Sequence, residues 1–359
     1  MDRADYVQLY SVPATYQPPE DKDLRDDTRY PNLNSRDYRK RRPDRTLKHN
    51  QFFETLDVNE EGLAVLATND IRGRIWNGNI WGYENLADFS EKSASFKLYC
   101  DSPVTKLKFL QEKIFLASQS NGALKVWSTR SEARDANNYC LFMVGGATEH
   151  LGLILDMDIL FPAKTKAATG STDCCLKVWD AGAADLQCIS TMRFAHSDDI
   201  TGVSSCPSMD EIFATCSRDK SALIWDYRLP RPAKALYNKH KFAFSTISWC
   251  NENEHDGHVL LGDDTGSIYE IDPKVPDKFV TQLKVFNRPI RKISCRSSKT
   301  AVIGNTNAVL VYKNLEDSPI YNNEEAHNFV RDVYWDSDNS FYTVAWDKKL
   351  RHHCMDSSN

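Results

Sequence analysis

One short pattern recurs along the chain. Alternating apolar residues follow a turn-rich cluster and lead to a tryptophan or to the residue in its place, at Trp127, Trp179, Trp225, Ile271, Tyr312 and His353. Successive copies are 52, 46, 46, 41 and 41 residues apart. A repeat of about 40 to 45 residues is the length of a four-stranded blade of a β-propeller. The spacing therefore predicts an all-β chain of similar sheets arranged around an axis.

The region before these copies supplies a seventh blade. Its apolar residues alternate as in half-buried strands, in the segments Phe52–Asp57, Leu63–Thr68, Asn79–Glu84 and Ser95–Asp101. The sequence ends six residues after His353, which leaves too little chain for a fourth strand in the last blade. Because an unpaired edge strand promotes aggregation, we expect a segment shortly before Phe52, within Asp44–Asn50, to close the ring.

Two copies carry the same four polar residue types at the same spacing. A histidine, a threonine and an aspartate precede the tryptophan by 29, 10 and 6 residues: His150, Thr169, Asp173 and Trp179 in one copy, and His196, Thr215, Asp219 and Trp225 in the next. An aspartate can accept a hydrogen bond from an imidazole, and a threonine can accept one from an indole. We interpret each set as a structural tetrad within its blade, as in WD repeats, rather than as a catalytic triad. A third, incomplete copy is His327, Thr343 and Asp347, with His353 in place of the tryptophan.

The first blade contains two tryptophans, and only one can occupy the repeat position. Trp81 lies 46 residues before Trp127, in register with later blades, whereas Trp76 lies 51 residues before it. With Trp81 in the repeat position, Asp70–Gly78 becomes an enlarged loop with Trp76 at its tip, next to Arg74 and Asn77. Aromatic and arginine side chains are common anchors of protein interfaces. We therefore predict partner binding by Arg74, Trp76 and Asn77, the alternative being that Trp76 folds back over its own blade.

Several runs resemble the WD-repeat subunit of the methylosome. They lie within residues 50–355 and begin with Gly73-Arg-Ile-Trp-Asn-Gly-Asn-Ile-Trp81; the others are Ser171–Asp180, Leu223–Ala233, Ala326–Trp335 and Ala345–His353. The resemblance implies a non-catalytic partner of the type II protein arginine methyltransferase, which makes symmetric dimethylarginine. It also implies that Trp76 inserts into the methyltransferase, and that histones and Sm proteins are presented as substrates. A member of the insect type would further bind a Tudor-domain protein and act in germ-plasm assembly.

Residues 1–48 are predicted to be a charged, largely disordered tail before a propeller at 49–359, since they contain few large aliphatic residues. The basic run Arg39–Arg42 could be a nuclear import signal or a solvated segment. We expect a protein of the cytoplasm and nucleus, with no membrane-spanning segment. The net charge of −5 argues against general nucleic-acid binding.

Other functional classes have less support in the sequence. Trp225-Asp226-Tyr227-Arg228 matches a short pattern of substrate receptors in cullin-type ubiquitin ligases, which is the alternative function. The sequence lacks the nucleotide-binding, metalloprotease and hydrolase motifs, so we expect no enzymatic activity, no cofactor and no metal site. The ten cysteines contain no Cys-x-x-Cys spacing, and we expect free thiols.

Overall fold

The fold was analysed in a computed structural model. It describes residues 50–72, 75–87, 89–90, 92–131, 139–182, 185–238, 240–250 and 257–355. These residues form seven antiparallel sheets, six with four strands and one with three. The prediction of a seven-bladed β-propeller is confirmed. None of the described residues belongs to a helix long and apolar enough to cross a membrane.

The strands of each blade follow one another in sequence. Blades 1 and 2 contain β1 (Asn50–Val58), β2 (Ala64–Arg72), β3 (Ile75–Tyr83), β4 (Phe96–Cys100), β5 (Val104–Gln111), β6 (Ile114–Gln119), β7 (Ala123–Ser131) and β8 (Tyr139–Thr148). Blades 3 and 4 contain β9 (Ile154–Ile159), β10 (Lys166–Ser171), β11 (Leu176–Asp180), β12 (Gln187–Met192), β13 (Ile200–Ser205), β14 (Ile212–Ser217), β15 (Ala222–Asp226) and β16 (Lys234–Tyr237). Blades 5 to 7 contain β17 (Phe244–Trp249), β18 (Val259–Asp263), β19 (Ser267–Ile271), β20 (Phe279–Lys284), β21 (Ile290–Arg296), β22 (Lys299–Gly304), β23 (Val309–Lys313), β24 (Tyr321–Asn323), β25 (Val330–Trp335), β26 (Ser340–Ala345) and β27 (Lys349–Cys354).

The first strand of every blade packs against the first strand of the next, so that seven such strands surround a central pore. The ring is complete because β1 also packs against β25 of the last blade. At this junction the Asp332 carboxylate accepts hydrogen bonds from the Thr55 hydroxyl, at 2.6 Å, and from the Leu56 N–H, at 3.0 Å. The expected closing strand within Asp44–Asn50 lies outside the described residues, apart from Asn50, which begins β1.

A second set of charged contacts joins blade 1 to blades 6 and 7. Glu54 on β1 is buried and forms ion pairs with Arg331 and with Arg291, the latter at 3.0 Å. The Trp346 indole N–H donates to the same carboxylate at 3.1 Å. Burial raises the pKa of Glu54, but the two guanidinium groups outweigh that effect and lower it overall. The ring is therefore held closed by a buried carboxylate that stays ionised.

Both predicted tetrads have their four side chains within hydrogen-bonding distance. In blade 3, His150 contacts the Asp173 carboxylate at 2.9 Å and the Thr169 hydroxyl at 2.8 Å, and the Trp179 indole donates to Thr169 at 2.8 Å. Blade 4 repeats this arrangement at 3.1, 2.8 and 2.8 Å in His196, Asp219, Thr215 and Trp225. Trp179 and Trp225 are almost completely buried between blades. These contacts support a structural role, because each polar group satisfies another one where water is excluded.

The third copy of the pattern differs from the prediction. His353 does take the place of the indole, since its Nε2 lies 2.7 Å from the Thr343 hydroxyl. Its Nδ1 lies 2.9 Å from the Tyr321 hydroxyl. The His327 side chain, however, is exposed, and only the His327 backbone N–H reaches Asp347. Asp347 pairs instead with Arg351, whose permanent charge makes it the stronger partner.

The expectation of free thiols is wrong for two cysteines. Cys250, which follows β17, and Cys295 on β21 are joined by a disulfide. The two residues lie 45 positions apart in the sequence, but blades 5 and 6 bring them together. The following cysteines, whose side chains are described, have free thiols: Cys100, Cys174, Cys175, Cys188, Cys206, Cys216 and Cys354.

Candidate partner-binding site in the first blade

The hairpin formed by β2 and β3 extends further than its counterparts. In blade 3 the equivalent strands pair from Ala167↔Trp179 as far as Gly170↔Leu176. In blade 1 the corresponding pair is Leu66↔Trp81, and pairing continues to Arg72↔Ile75. Trp81 is buried, as the repeat position requires. The extra length therefore lies at the β2–β3 turn, which is the end of the hairpin away from the β1–β2 turn.

The expected loop at Asp70–Gly78 is wrong, because most of it is β-strand. Asp70, Ile71 and Arg72 pair with Asn77, Trp76 and Ile75, respectively, and only residues 73 and 74 separate the two strands. Isoleucine and tryptophan favour strands, which explains why pairing continues despite the glycines on both sides. Trp76 consequently lies on a strand, whose position is more restricted than that of a loop.

The base of this hairpin is attached to the second blade. The Asn69 side-chain amide donates to the Val104 carbonyl at 3.1 Å, and the Val104 N–H donates to the Asn69 side-chain oxygen at 2.9 Å. Gly78 lies so close to this segment that an added Cβ would be 2.8 Å from the Ser102 carbonyl oxygen. A glycine is therefore required for the approach of the two backbones, and the hairpin is held where it leaves the blade.

Trp76 projects from this hairpin with 59% of its surface exposed. Alternation along β3 places it on the same side of the strand as Gly78, which faces blade 2. Asn77 is half-buried on the other side. Arg74, the third predicted contact residue, lies outside the described residues. The structure thus brings Trp76 and Asn77 to one hairpin, with the tryptophan side chain available to a partner.

Exposure alone does not single out Trp76. Leu151 and Phe194 are 96% and 85% exposed, but they lie in short turns between blades. Tyr99 is 63% exposed on β4, the outer strand of blade 1. The sequence analysis did not identify Asn69 or Gly78 as parts of this region, whereas Tyr99 pairs with Asn79 and therefore lies on the opposite side of the sheet from Trp76. Only Gly78 had a recognisable signal, since a glycine within a strand often marks a close backbone approach.

Two other arrangements of side chains bear on enzymatic chemistry. The described residues contain no group of three or more histidine, cysteine or acidic residues placed to hold a metal ion. In each tetrad, the threonine hydroxyl contacts a histidine and also accepts from an indole that is itself buried. A substrate could not reach that hydroxyl without separating two blades, so the tetrads form no accessible catalytic site.

Comparison with known proteins supports the propeller fold and also shows similarity to particular WD-repeat proteins. The family model "WD domain, G-beta repeat" matches residues 186–226. Protein valois of Drosophila melanogaster is 29% identical over 359 residues, which cover 97% of this chain and 98% of that protein. Methylosome protein WDR77 of Xenopus laevis is 26% identical over 304 residues, covering 83% of this chain and 87% of the relative.

The chain contains a WD repeat and is similar to these two proteins over most of its length. The predicted resemblance to the methylosome WD-repeat subunits is confirmed. The match to Protein valois extends beyond residues 50–355, where the motifs lie, and includes part of the N-terminal segment. A chain from a structure of the COPII outer coat vertex is 15% identical, with a TM-score of 0.68 over 86% of this chain and 84% of that one. That likeness shows the fold alone.

The ubiquitin-ligase alternative is not favoured by these relatives. In addition, Arg228 of the four-residue motif is bound within its own blade, where its guanidinium pairs with Asp226 at 2.7 Å and with Glu211 at 3.4 Å. These contacts give the motif a role in ordering the end of β15.

Proposed function

We propose that this protein is a non-catalytic adaptor that binds a type II protein arginine methyltransferase through Trp76 and helps to present that enzyme's protein substrates. The observation that carries the proposal is the exposed Trp76 on an extended hairpin that is fixed to blade 2. Arg74 and Asn77 are proposed as flanking contacts. Tryptophan at the centre of an interface often dominates its binding energy.

The printed names of the relatives support the choice of partner. One relative is named as a methylosome protein, and the other is Protein valois, whose similarity covers almost the whole of both chains. The proposed partner follows from the resemblance of the hairpin motif and from these names together. Histones, Sm proteins and a Tudor-domain protein are proposed as the proteins that the adaptor brings to the enzyme.

The absence of catalysis and the place of action are part of the same proposal. A propeller whose repeated polar sets join its own strands has its surfaces free for other proteins. We propose action in the cytoplasm and nucleus, with residues 1–48 as a tail separate from a propeller at 49–359. No cofactor is needed for this role.

Co-purification tests the proposal most simply. The full chain and the methyltransferase are expressed together and isolated through a tag on the chain, with unmodified protein, Trp76→Ala and Tyr99→Ala compared. We expect Trp76→Ala alone to lose the enzyme. If all three proteins retain it equally, the hairpin is not the binding site.

Substrate presentation needs a separate measurement. Methylation of a histone or Sm substrate is followed with the enzyme alone and with the adaptor added at saturating concentration. The proposal predicts a lower KM for the substrate in the presence of the adaptor. An unchanged KM and kcat would limit the adaptor to binding the enzyme.

A further inference from the structure

A groove opens from the central pore on the face that carries the turns between the first and second strands of the blades. The groove has a volume of about 700 Å³ and follows the β5–β6 turn between blades 1 and 3. It is continuous with a pore cavity of about 760 Å³, since Asp57, Lys108, Asp158 and Phe161 line both. Strand β2 runs from this face to the Trp76 hairpin, so the two sites lie at opposite ends of the propeller.

Charged side chains of the pore are arranged in pairs. Lys106 pairs with Asp156 at 3.1 Å and Lys108 with Asp158 at 3.4 Å. A third pair in the same cavity consists of Lys292 and Asp332. Each pair joins neighbouring blades, which accounts for these three lysines and three aspartates as ring-stabilising contacts.

Asp57 is the carboxylate that remains. One of its oxygens accepts the Phe109 N–H at 2.7 Å, and Asp57 forms no ion pair with any described residue. It lies where the pore meets the groove. Burial raises the pKa of Asp57, and the nearby charges of Lys108 and Lys292 only partly offset this. A cation brought to this carboxylate would supply the partner that the fold does not.

We propose that this junction binds an arginine side chain of an extended segment of another protein, with the Asp57 carboxylate as its ion-pair partner. The site goes beyond the proposed function, because it uses the opposite face from Trp76 and a different chemistry. Both sites could therefore be occupied at once.

Two features favour arginine over lysine. The Phe161 ring lines the junction, and the Lys164 Nζ lies 5.5 Å from its centroid. A guanidinium stacks on aromatic rings and is less strongly hydrated than an ammonium group. Its planar fork of donors can bond both oxygens of the Asp57 carboxylate at once, a geometry that an ammonium group does not match.

The groove suits an extended segment on both sides of that arginine. Its walls include Gln111–Lys113 of the β5–β6 turn and the half-buried Ser128, whereas the Thr129 hydroxyl is buried and donates to the Lys113 carbonyl. An exposed ion pair between Glu60 and Lys164, at 2.7 Å, bridges the turns of blades 1 and 3 beside it. Backbone and hydroxyl groups can bond a peptide main chain without selecting its sequence, so selectivity would rest on the arginine.

The test measures binding of three short peptides to the full chain by NMR titration. They have an arginine, a lysine or the neutral isostere citrulline at the centre of four glycines, with blocked ends. We expect the arginine peptide to bind at least tenfold more tightly than the citrulline peptide. Asp57→Asn should lower the affinity for the arginine peptide about tenfold, while its side-chain oxygen can still accept the Phe109 N–H and so preserve the fold.

Two further variants make the outcome decisive. Asp198→Asn removes an exposed carboxylate from a turn on the opposite face and should leave peptide binding unchanged. Phe161→Leu should reduce the preference for arginine over lysine. Equal affinity for arginine and citrulline, equal loss in Asp57→Asn and Asp198→Asn, or no binding of the arginine peptide to the unmodified chain would each overturn the site. Equal affinity for the lysine peptide would overturn its assignment to arginine.

The same variants separate this inference from the proposed function. Asp57→Asn should co-purify with the methyltransferase as well as the unmodified chain does. Trp76→Ala should bind the arginine peptide with unchanged affinity. Failure of either site alone would leave the other standing.

Discussion

Replacing Trp76 with alanine should weaken binding to the methyltransferase without unfolding the propeller. A tryptophan side chain offers about 150–250 Å² for burial, so an exposure of 59% leaves roughly 90–150 Å² for a partner to cover. At about 25 cal/mol per Å², that area contributes roughly 2–4 kcal/mol. Because 1.4 kcal/mol changes Kd tenfold, we expect Kd to rise roughly 40- to 500-fold.

The effect of this substitution on stability should be small. Trp76 lies beyond the point where β3 enters the core, and its hairpin is held at the base by Asn69 and Gly78. Surface substitutions usually change the free energy of unfolding by about 0.5 kcal/mol or less. We expect a somewhat larger loss here, below about 1 kcal/mol, because the Trp76 indole is not fully exposed in the free chain.

Calorimetric titration of purified chain into purified methyltransferase measures the first quantity, and thermal unfolding of the chain alone measures the second. Tyr99→Ala is the matched control, since Tyr99 is a similarly exposed aromatic residue of the same blade. A Trp76→Ala protein that binds as before would refute the reasoning about the hairpin. A fall in stability of several kcal/mol would show instead that the Trp76 side chain belongs to the hydrophobic core.

Three further predictions concern the stability of the propeller. Trp179→Ala should lower the free energy of unfolding by about 3–5 kcal/mol in chemical denaturation, because it leaves a cavity and removes the hydrogen bond from the indole to Thr169; a change below 1 kcal/mol would contradict the tetrad. Glu54→Gln should cost about 3–5 kcal/mol, since Arg331 would keep its charge in a buried place, and an unchanged melting temperature would contradict this closure. Burial, followed by the charge of Arg351, lowers the pKa of His353 to about 4 in the folded protein. As the pH falls, this histidine is therefore protonated in the unfolded chain before it is protonated in the folded one. The stability that depends on neutral His353 should be complete above about pH 6.5 and be lost as the pH falls toward 4; denaturation across this range should show a weaker dependence in His353→Gln.

The sequence predicted the blades well, because the hydrogen-bonded tetrads need four residue types at fixed distances along a single blade. Blade 5 shows where that signal ends. Its Tyr269 hydroxyl donates to the buried Asp263 at 3.0 Å, so a different pair of residues stabilises an equivalent hairpin. Such a replacement keeps the fold but removes the spacing by which the repeat is recognised.

The sequence predicted where the first-blade hairpin lies, but it predicted a loop where the structure has paired strands. Its two flanking glycines indicated a loop, whereas Gly78 is needed for the approach to the second blade. The contact of Asn69 with Val104 joins residues 35 positions apart, and nothing in the spacing of the repeats marks such a pair. The unpaired state of Asp57 is likewise visible only when neighbouring blades are in place.

Photo-crosslinking from the hairpin tests the central claim most directly. A photoreactive phenylalanine derivative is incorporated in place of Asn77, so that Trp76 itself is kept, or in place of Phe194, an exposed aromatic residue between blades 3 and 4, as the control. Each full-length protein is irradiated in the presence of the methyltransferase, and the adaptor proposal predicts a covalent product with the enzyme from position 77 and little or none from position 194. A chain that still binds the enzyme but crosslinks to it only from position 194 would contradict the proposal.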